Sequence, residues 1–250
     1  MGQDLTINLV ASLLAFLAGW AGRALLHYRR TRRPAARVWR LDRSRRVVMV
    51  IGESRRSPSS YSKIPEADAT AAMNLRQFLS QELRLHEVAM VRAGAFRMAS
   101  DAEENLIVVG GPVHNAIWQP MADRLHAPYE FRRCPDEYRI VCVDSGEEYG
   151  ESAVDGMTLV DHAIVLLARN PFAPASRLVM VAGCALLATT AATQLFARGE
   201  IRALAGAYDM SSPLALVVRV ESVGGYVRRP EVVAAANFPQ ASAGASASSA

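Results

Sequence analysis

Three regimes of hydrophobic patterning follow one another along the chain. Residues 5–26 are apolar almost throughout, with Asn8 and Arg23 as the only strongly polar members. At a rise of roughly 1.5 Å per residue, a helix of this length covers about 33 Å, enough for the hydrocarbon core of a bilayer. From Val47 onward the pattern changes to short apolar runs that alternate with helical spacing. VVMVI (47–51) ends at Gly52, LIVV (106–109) at Gly110-Gly111, and LVMVA (178–182) at Gly183, with VAMVR at 88–92. Continuous runs of this length read as strands buried on both faces. Ala71, Leu75, Phe78, Leu79 and Leu83 mark a helix over 67–83, and further helices are expected over 115–125 and 187–196. Shorter strands are expected at 129–132, 139–143 and 163–168, as a meander or insertion, with a last one at 215–220. The third regime is the tail, 239–250. From Gln240 it contains only Gln, Ala, Ser and Gly, so it has nothing to bury and is expected to be disordered.

Apolar strands that end in glycine and feed helices predict an α/β domain over 47–238. The expected fold is Rossmann-like or flavodoxin-like, three-layered, with a mainly parallel sheet. One N-terminal transmembrane anchor (1–28) and an arginine-rich juxtamembrane linker (29–46) precede it. About 190 residues suffice for a single sizeable core. In such sheets ligands collect at the carboxyl ends of the strands, beside a topological switch point. That rule singles out the loops 52–62, 110–115 and 183–190.

Charge separates the two parts of the chain. Residues 29–46 hold nine arginines (29, 30, 32, 33, 37, 40, 43, 45, 46) against the single acid Asp42. With Arg23 and Asp4 also set aside, 18 bases face 22 acids from Val47 onward, so a chain of net +4 carries a domain of −4. The basic pI therefore belongs to the juxtamembrane stretch. The bases follow the apolar run, and no small-residue cleavage site separates the two, which argues against a removable signal. By the positive-inside rule the N-terminus lies outside and the domain in the cytoplasm of a single-pass membrane protein. The plainer alternative, a buried core helix, sits poorly with the length of the run. Arginines beside a bilayer suit anionic headgroups, at about 1 kcal/mol each close to the surface. Nucleic acid is disfavoured as a partner, because no aromatic residues interleave with the bases.

Cys134, Cys142 and Cys184 are odd in number and match no zinc spacing, and the five histidines form no His-x-x-x-His pair. No metal or other cofactor is evident. The loop Gly110-Gly111-Pro112-Val113-His114-Asn115 is the best local signal. Two glycines permit close backbone approach, and Asn115 can cap the next helix, whose free amides favour an anion. A tight turn with an Asn cap needs no ligand and explains the same residues. The third glycine of a dinucleotide fingerprint and the Gly-Lys-Ser/Thr of a P-loop are both missing. Gly183 with Thr189 and Thr190 offers a second possible anion cradle, or simply a helix start. Gly52, Glu53 and Ser54 follow the first strand, where Glu53 is the candidate general base. Tyr61 and the only lysine, Lys63, lie in the loop beyond. Cys184 as a nucleophile needs a base such as His114, with no orienting partner visible in the sequence.

The Gly110-Gly111-Pro112-x-x-Asn115 loop, the Asn170-Pro171-Phe172 turn, and a strand ending Ala182-Gly183 before a threonine-containing helix resemble uncharacterised bacterial Rossmann-like domains. The resemblance spans about 105–200 and departs at the helix start, where Thr189-Thr190 replaces Gly-Thr. It implies nucleotide sensing, or a part in signalling or defence, and carries over no catalytic residue. Three functions stand open. The first is a sensor or signalling module for a nucleotide-like or other anionic small ligand. The second is a small enzyme acting on a nucleotide, an NAD-like molecule or a sugar. The third is a scaffold that binds another protein.

Overall fold

Each glycine-ended run becomes an inner strand of one sheet. The computed structural model describes residues 2–54, 63–135, 137–154, 158–223 and 226–240. Helix α1 (Gly2–His27) passes through a π-helical turn (Tyr28–Arg32) into α2 (Arg33–Trp39). Then come β1 (Val47–Ile51), α3 (Glu66–Leu83), β2 (Val88–Arg92), a short α4 (Met98–Asp101), β3 (Asn105–Val109) and α5 (Trp118–Leu125). A small antiparallel sheet follows, β4 (Tyr129–Arg133), β5 (Tyr138–Cys142) and β6 (Glu148–Tyr149). The chain continues with β7 (Ser152–Val154), β8 (Thr158–Asn170), β9 (Ala173–Gly183), α6 (Leu186–Ala192) and α7 (Arg198–Ala207). It closes with β10 (Leu214–Val223), β11 (Tyr226–Val227) and β12 (Glu231–Asn237).

The main sheet has the order β11-β10-β8-β9-β3-β1-β2, with β12 on β10 and β7 on β8. Its β2-β1-β3-β9 half is parallel, as expected for buried strands joined by helices. Beyond β9 every pairing is antiparallel, so the mainly parallel character stops there. The run read as a short strand at 163–168 is the middle of the thirteen-residue β8, which pairs on both sides. Residues 129–149 form a separate three-stranded antiparallel meander.

Alternate residues of each strand feed two cores. Val47, Met49, Ile51, Ile107 and Val109 face α2, α3, α6 and α7. Val48, Val50, Leu106 and Val108 face α5 and the small sheet, where Trp118 meets Phe131 edge-on at 5.4 Å. The result is three layers of mixed α/β structure.

The stretch 29–46 is more than a linker. Ala35, Val38 and Trp39 are fully buried, and Trp39 lies 4.9 Å from Phe196 and 6.1 Å from Phe78 between ring centroids. Arg177, buried in β9, donates to the Val38 carbonyl at 3.2 Å and ties α2 to the sheet. The globular unit therefore begins near Thr31 rather than at Val47. By contrast, α1 exposes its apolar side chains from Ile7 to Leu26, and the segment is long and apolar enough to cross a membrane. At the other end the unit reaches past 238. Phe238 is buried, and Gln240 exchanges hydrogen bonds with both backbone groups of Arg169. The rest of the expected disordered tail, 241–250, lies outside the described residues.

Candidate functional site

The parallel strand order β2-β1-β3 puts a switch point between β1 and β3, with α3 leaving on one face and α5 on the other. There the chain must turn sharply at the ends of adjacent strands. Gly52 donates to the Val109 carbonyl at 3.0 Å, and Gly110 to that of Val181 at 2.9 Å. Gly110 takes φ +93°, a region that side chains rarely adopt. A Cβ on either glycine would overlap the carboxylate of Asp68, in the first turn of α3. The glycines are thus what lets an acid sit between two strand ends.

Asp68 is 5% exposed, and its Oδ2 finds no hydrogen-bond partner among the described residues. Burial pushes its carboxyl up to about 6, since low dielectric disfavours the charged form. It borders a cavity of about 150 Å³ that Gly111, His114, Phe131, Tyr138, Cys184 and Thr189 help to line. Whole-ligand pockets commonly run to about 300–1,000 Å³, so this one holds a single group of a ligand, about the size of a sugar ring. Chemically, the carboxyl can accept a hydrogen bond from a hydroxyl or amine, or exchange a proton with it. It repels a phosphate.

Other residues singled out by the sequence have different tasks. Asn115 is fully buried and donates to the carbonyls of Val50 (3.2 Å) and Val109 (2.9 Å), while its Oδ1 accepts from the Ile117 amide. It staples β1 to β3 and shapes the turn into α5, which begins at Trp118. Its amide is spent on backbone, so it serves the site by holding the two strand ends together. The Glu53 carboxylate lies against Gly94 in the turn after β2, outside the cavity lining. The Ser54 amide donates to the Lys63 carbonyl at 2.6 Å, closing a loop whose residues 55–62, Tyr61 included, lie outside the described residues.

The second cradle is already filled. The amides of Ala185 (3.1 Å) and Ala188 (2.8 Å) at the start of α6 donate to the carboxylate of Asp161, a wholly buried residue of β8. Thr189 Oγ1 accepts from the Gly183 amide at 2.8 Å, and Thr190 Oγ1 donates to the Ala67 carbonyl at 3.2 Å. A seven-residue helix whose free amides already hold a carboxylate is not an anion site. Cys184 and His114 do share the cavity, but burial raises the Cys184 thiol pKa, away from a thiolate nucleophile. Among the described residues no group of three His, Cys, Asp or Glu side chains is placed to hold a metal ion.

The structure therefore gathers Gly52, Gly110, Gly111, Gly183 and Thr189 around Asp68, and leaves Glu53 and Ser54 to one side. Asp68 and Asp161 are functional positions that the sequence patterns above do not single out. Asp161 had a signal, a lone acid inside the apolar run TLVDHAIV. Asp68 had none, because an acid in a helix's first turn is ordinary. Comparison with protein-family models, curated proteins and solved structures finds no match.

Proposed function

We propose that this chain is a membrane-anchored cytoplasmic sensor or signalling module with a Rossmann-like, flavodoxin-like domain. Its cavity takes the hydroxyl- or amine-bearing part of a small, nucleotide-like ligand. The observation that carries this is the buried Asp68 carboxylate at the β1/β3 switch point, whose Oδ2 has no hydrogen-bond partner among the described residues. Burying such a group without a hydrogen bond costs on the order of 1–3 kcal/mol, an expense that a ligand donor would relieve. The flavodoxin-like reading draws support from the strand order β2-β1-β3-β9, with ligand expected at that switch. Membrane anchoring draws support from the uncovered apolar face of α1, and the arginines that follow it favour a cytoplasmic domain by the positive-inside rule. Phosphate, if the ligand has one, points away from Asp68. The resemblance to bacterial sensing domains agrees with this reading and does not carry it.

Turnover in the same cavity is the second reading, favoured by a carboxyl held near 6, where it can gain and lose a proton at working pH. The test is a thermal-shift screen of the full chain in detergent against nucleosides, nucleotides, sugars and sugar phosphates. A ligand at 100 times its Kd adds about 2.7 kcal/mol of stability. The expected hit carries a free hydroxyl or amine and is lost in Asp68→Ala. Consumption of that ligand by the native chain, absent in Asp68→Asn, would make the module an enzyme. No hit across the panel would leave a protein partner as the reading.

A further inference from the structure

A second cavity lies where the anchor joins the domain, and its chemistry is the opposite of the first. It is a cleft of about 790 Å³ lined by Arg32, Arg33, Arg37, Arg40, Arg43 and Arg84, with Tyr28 at one end. Among the described residues only two carboxylates join them, and both are engaged. Glu82 lies 3.4 Å from His27, and Asp209 accepts hydrogen bonds from Ser211 and Ser212. The helix ends of α2 and α3 add about half a negative charge each, which still leaves the cleft strongly cationic. Arg45 and Arg46 pair with Asp42, Asp101, Glu103 and Glu104. Among the described residues, none of the six cleft arginines has a carboxylate within ion-pair distance, and Arg32 Nε is buried without a partner.

Two features of the backbone deepen the contrast with an ordinary solvated basic face. Arg40 (φ 43°) and Arg84 (φ 57°) close α2 and α3 in the left-handed conformation, a place where glycine or asparagine is the usual residue. Arg40 is further fixed by donating to the Met210 carbonyl at 2.7 Å. The π-helical turn contributes Tyr28 and Arg32 to the same wall, and such turns concentrate at functional sites.

We propose that this cleft binds a phosphate-bearing anion, and that its position favours the headgroup of an anionic phospholipid. The inference rests on reading α1 as a membrane anchor. Arg32 and Arg33 then lie roughly 8–9 Å past His27 along a continuous helix, within reach of the headgroup layer. Arg37, Arg40 and Arg84 extend the site away from the bilayer, enough for more than one phosphate. Because α2 is packed into the core through Trp39, a headgroup held here fixes the orientation of the whole domain on the membrane.

The test is a titration of the full chain in neutral detergent micelles with short-chain phosphatidic acid, short-chain phosphatidylcholine and inorganic pyrophosphate, read by thermal midpoint. Two double variants remove equal charge. Arg37→Gln with Arg84→Gln lies in the cleft; Arg29→Gln with Arg30→Gln lies in the same basic stretch, on exposed residues outside the cleft lining. The expected result is saturable binding of phosphatidic acid over phosphatidylcholine, weakened about tenfold or more by the cleft pair and less than twofold by the 29/30 pair. Pyrophosphate binding as tightly as phosphatidic acid, with the same variant pattern, keeps the site and assigns it to a free anion. Equal loss in both pairs means diffuse charge attraction and overturns the proposal, as does the absence of saturable binding. Retention of the native chain in carbonate-washed membranes reports the anchor separately, so failure of the cleft and failure of the anchor are distinguishable.

Discussion

The two cavities hold charge in opposite ways. At the strand ends a single carboxylate is taken out of water, its Oδ2 without a partner among the described residues, while beside the end of α1 six arginines line one cleft, five of them exposed and Arg32 half-buried. The first arrangement is expensive for one group, because desolvation in a low dielectric is steep. The second is cheap per residue, since exposed like charges are screened by solvent and salt. The acidic cavity should therefore show itself in stability and its pH dependence. The basic cleft should show itself in binding and hardly at all in stability.

The largest expected effect tests whether the basic cleft belongs to a rigid domain at all. Trp39 presents its ring to Phe78 and Phe196 on the side of α2 opposite the arginines. Trp39→Ala should cost about 3–5 kcal/mol by the usual range for emptying an aromatic site in a core. Urea unfolding of the chain in detergent measures it. A loss under 1 kcal/mol would mean that residues 33–39 are a tether, and the cleft would lose one of its walls.

The sequence pattern hides that wall. Val47–Ile51 and Val88–Arg92 were legible to the residue, because uninterrupted apolar runs bounded by polar residues admit few other readings. In RPAARVW the buried set is Pro34, Ala35, Val38 and Trp39, a proper helical spacing hidden among arginines that dominate any count of charge. In α7 the buried Ile201, Leu204 and Ala205 follow the same rule, interrupted by Gly199 and Gly206. β12 is an alternating, alanine-rich edge strand whose residues are nowhere fully buried, so it carries little pattern to read. The candidate site was legible as backbone and illegible as chemistry. Glycines at strand ends mark where chains turn, whereas the choice between Glu53 and Asp68 depends on whether the end of β1 or the first turn of α3 places its carboxylate against those turns. That is a tertiary fact. The sequence marks Asn115 as a cap, yet its two bonds to β1 and β3 exist only once those strands are neighbours.

The next effect sharpens the acidic side of the comparison. Asp68 has a folded-state pKa of about 6 against roughly 3.9 for a free aspartate, so the native state holds its proton more tightly than the unfolded state does. Between those values Asp68 binds more protons in the folded chain, so its own contribution to stability falls as pH rises from about 4 through 6, then levels off. Asp68→Asn removes the charge at nearly constant shape. Above pH 7 it should stabilise the chain by about 1–2 kcal/mol, the cost of ionising the group less that of leaving an amide in its place. Its midpoint should also vary less over that pH window, as scanning calorimetry at pH 5 and 7.5 would read. Equal pH slopes in the two proteins would mean that the carboxylate is solvated or paired in solution, and the strand-end cavity would lose its claim to a ligand.

The smallest effect concerns the backbone beneath one arginine. Arg84 ends α3 at φ 57°, a conformation that costs a side-chain-bearing residue about 1–2 kcal/mol and glycine almost nothing. Arg84 makes no ion pair among the described residues and is exposed, so little folding energy is lost with its side chain. Arg84→Gly should therefore raise stability by about 0.5–1 kcal/mol, allowing for the greater freedom of glycine in the unfolded chain. The same substitution should weaken phosphatidic acid binding severalfold. Both readings come from one sample, by thermal midpoint with and without the lipid. A drop in stability would show that the Arg84 stem packs usefully along the cleft wall, and its strained backbone would then need no ligand to account for it. A gain in stability coupled to a loss of binding would put Arg84 beside Asp68, as a charge the fold retains at a cost to itself.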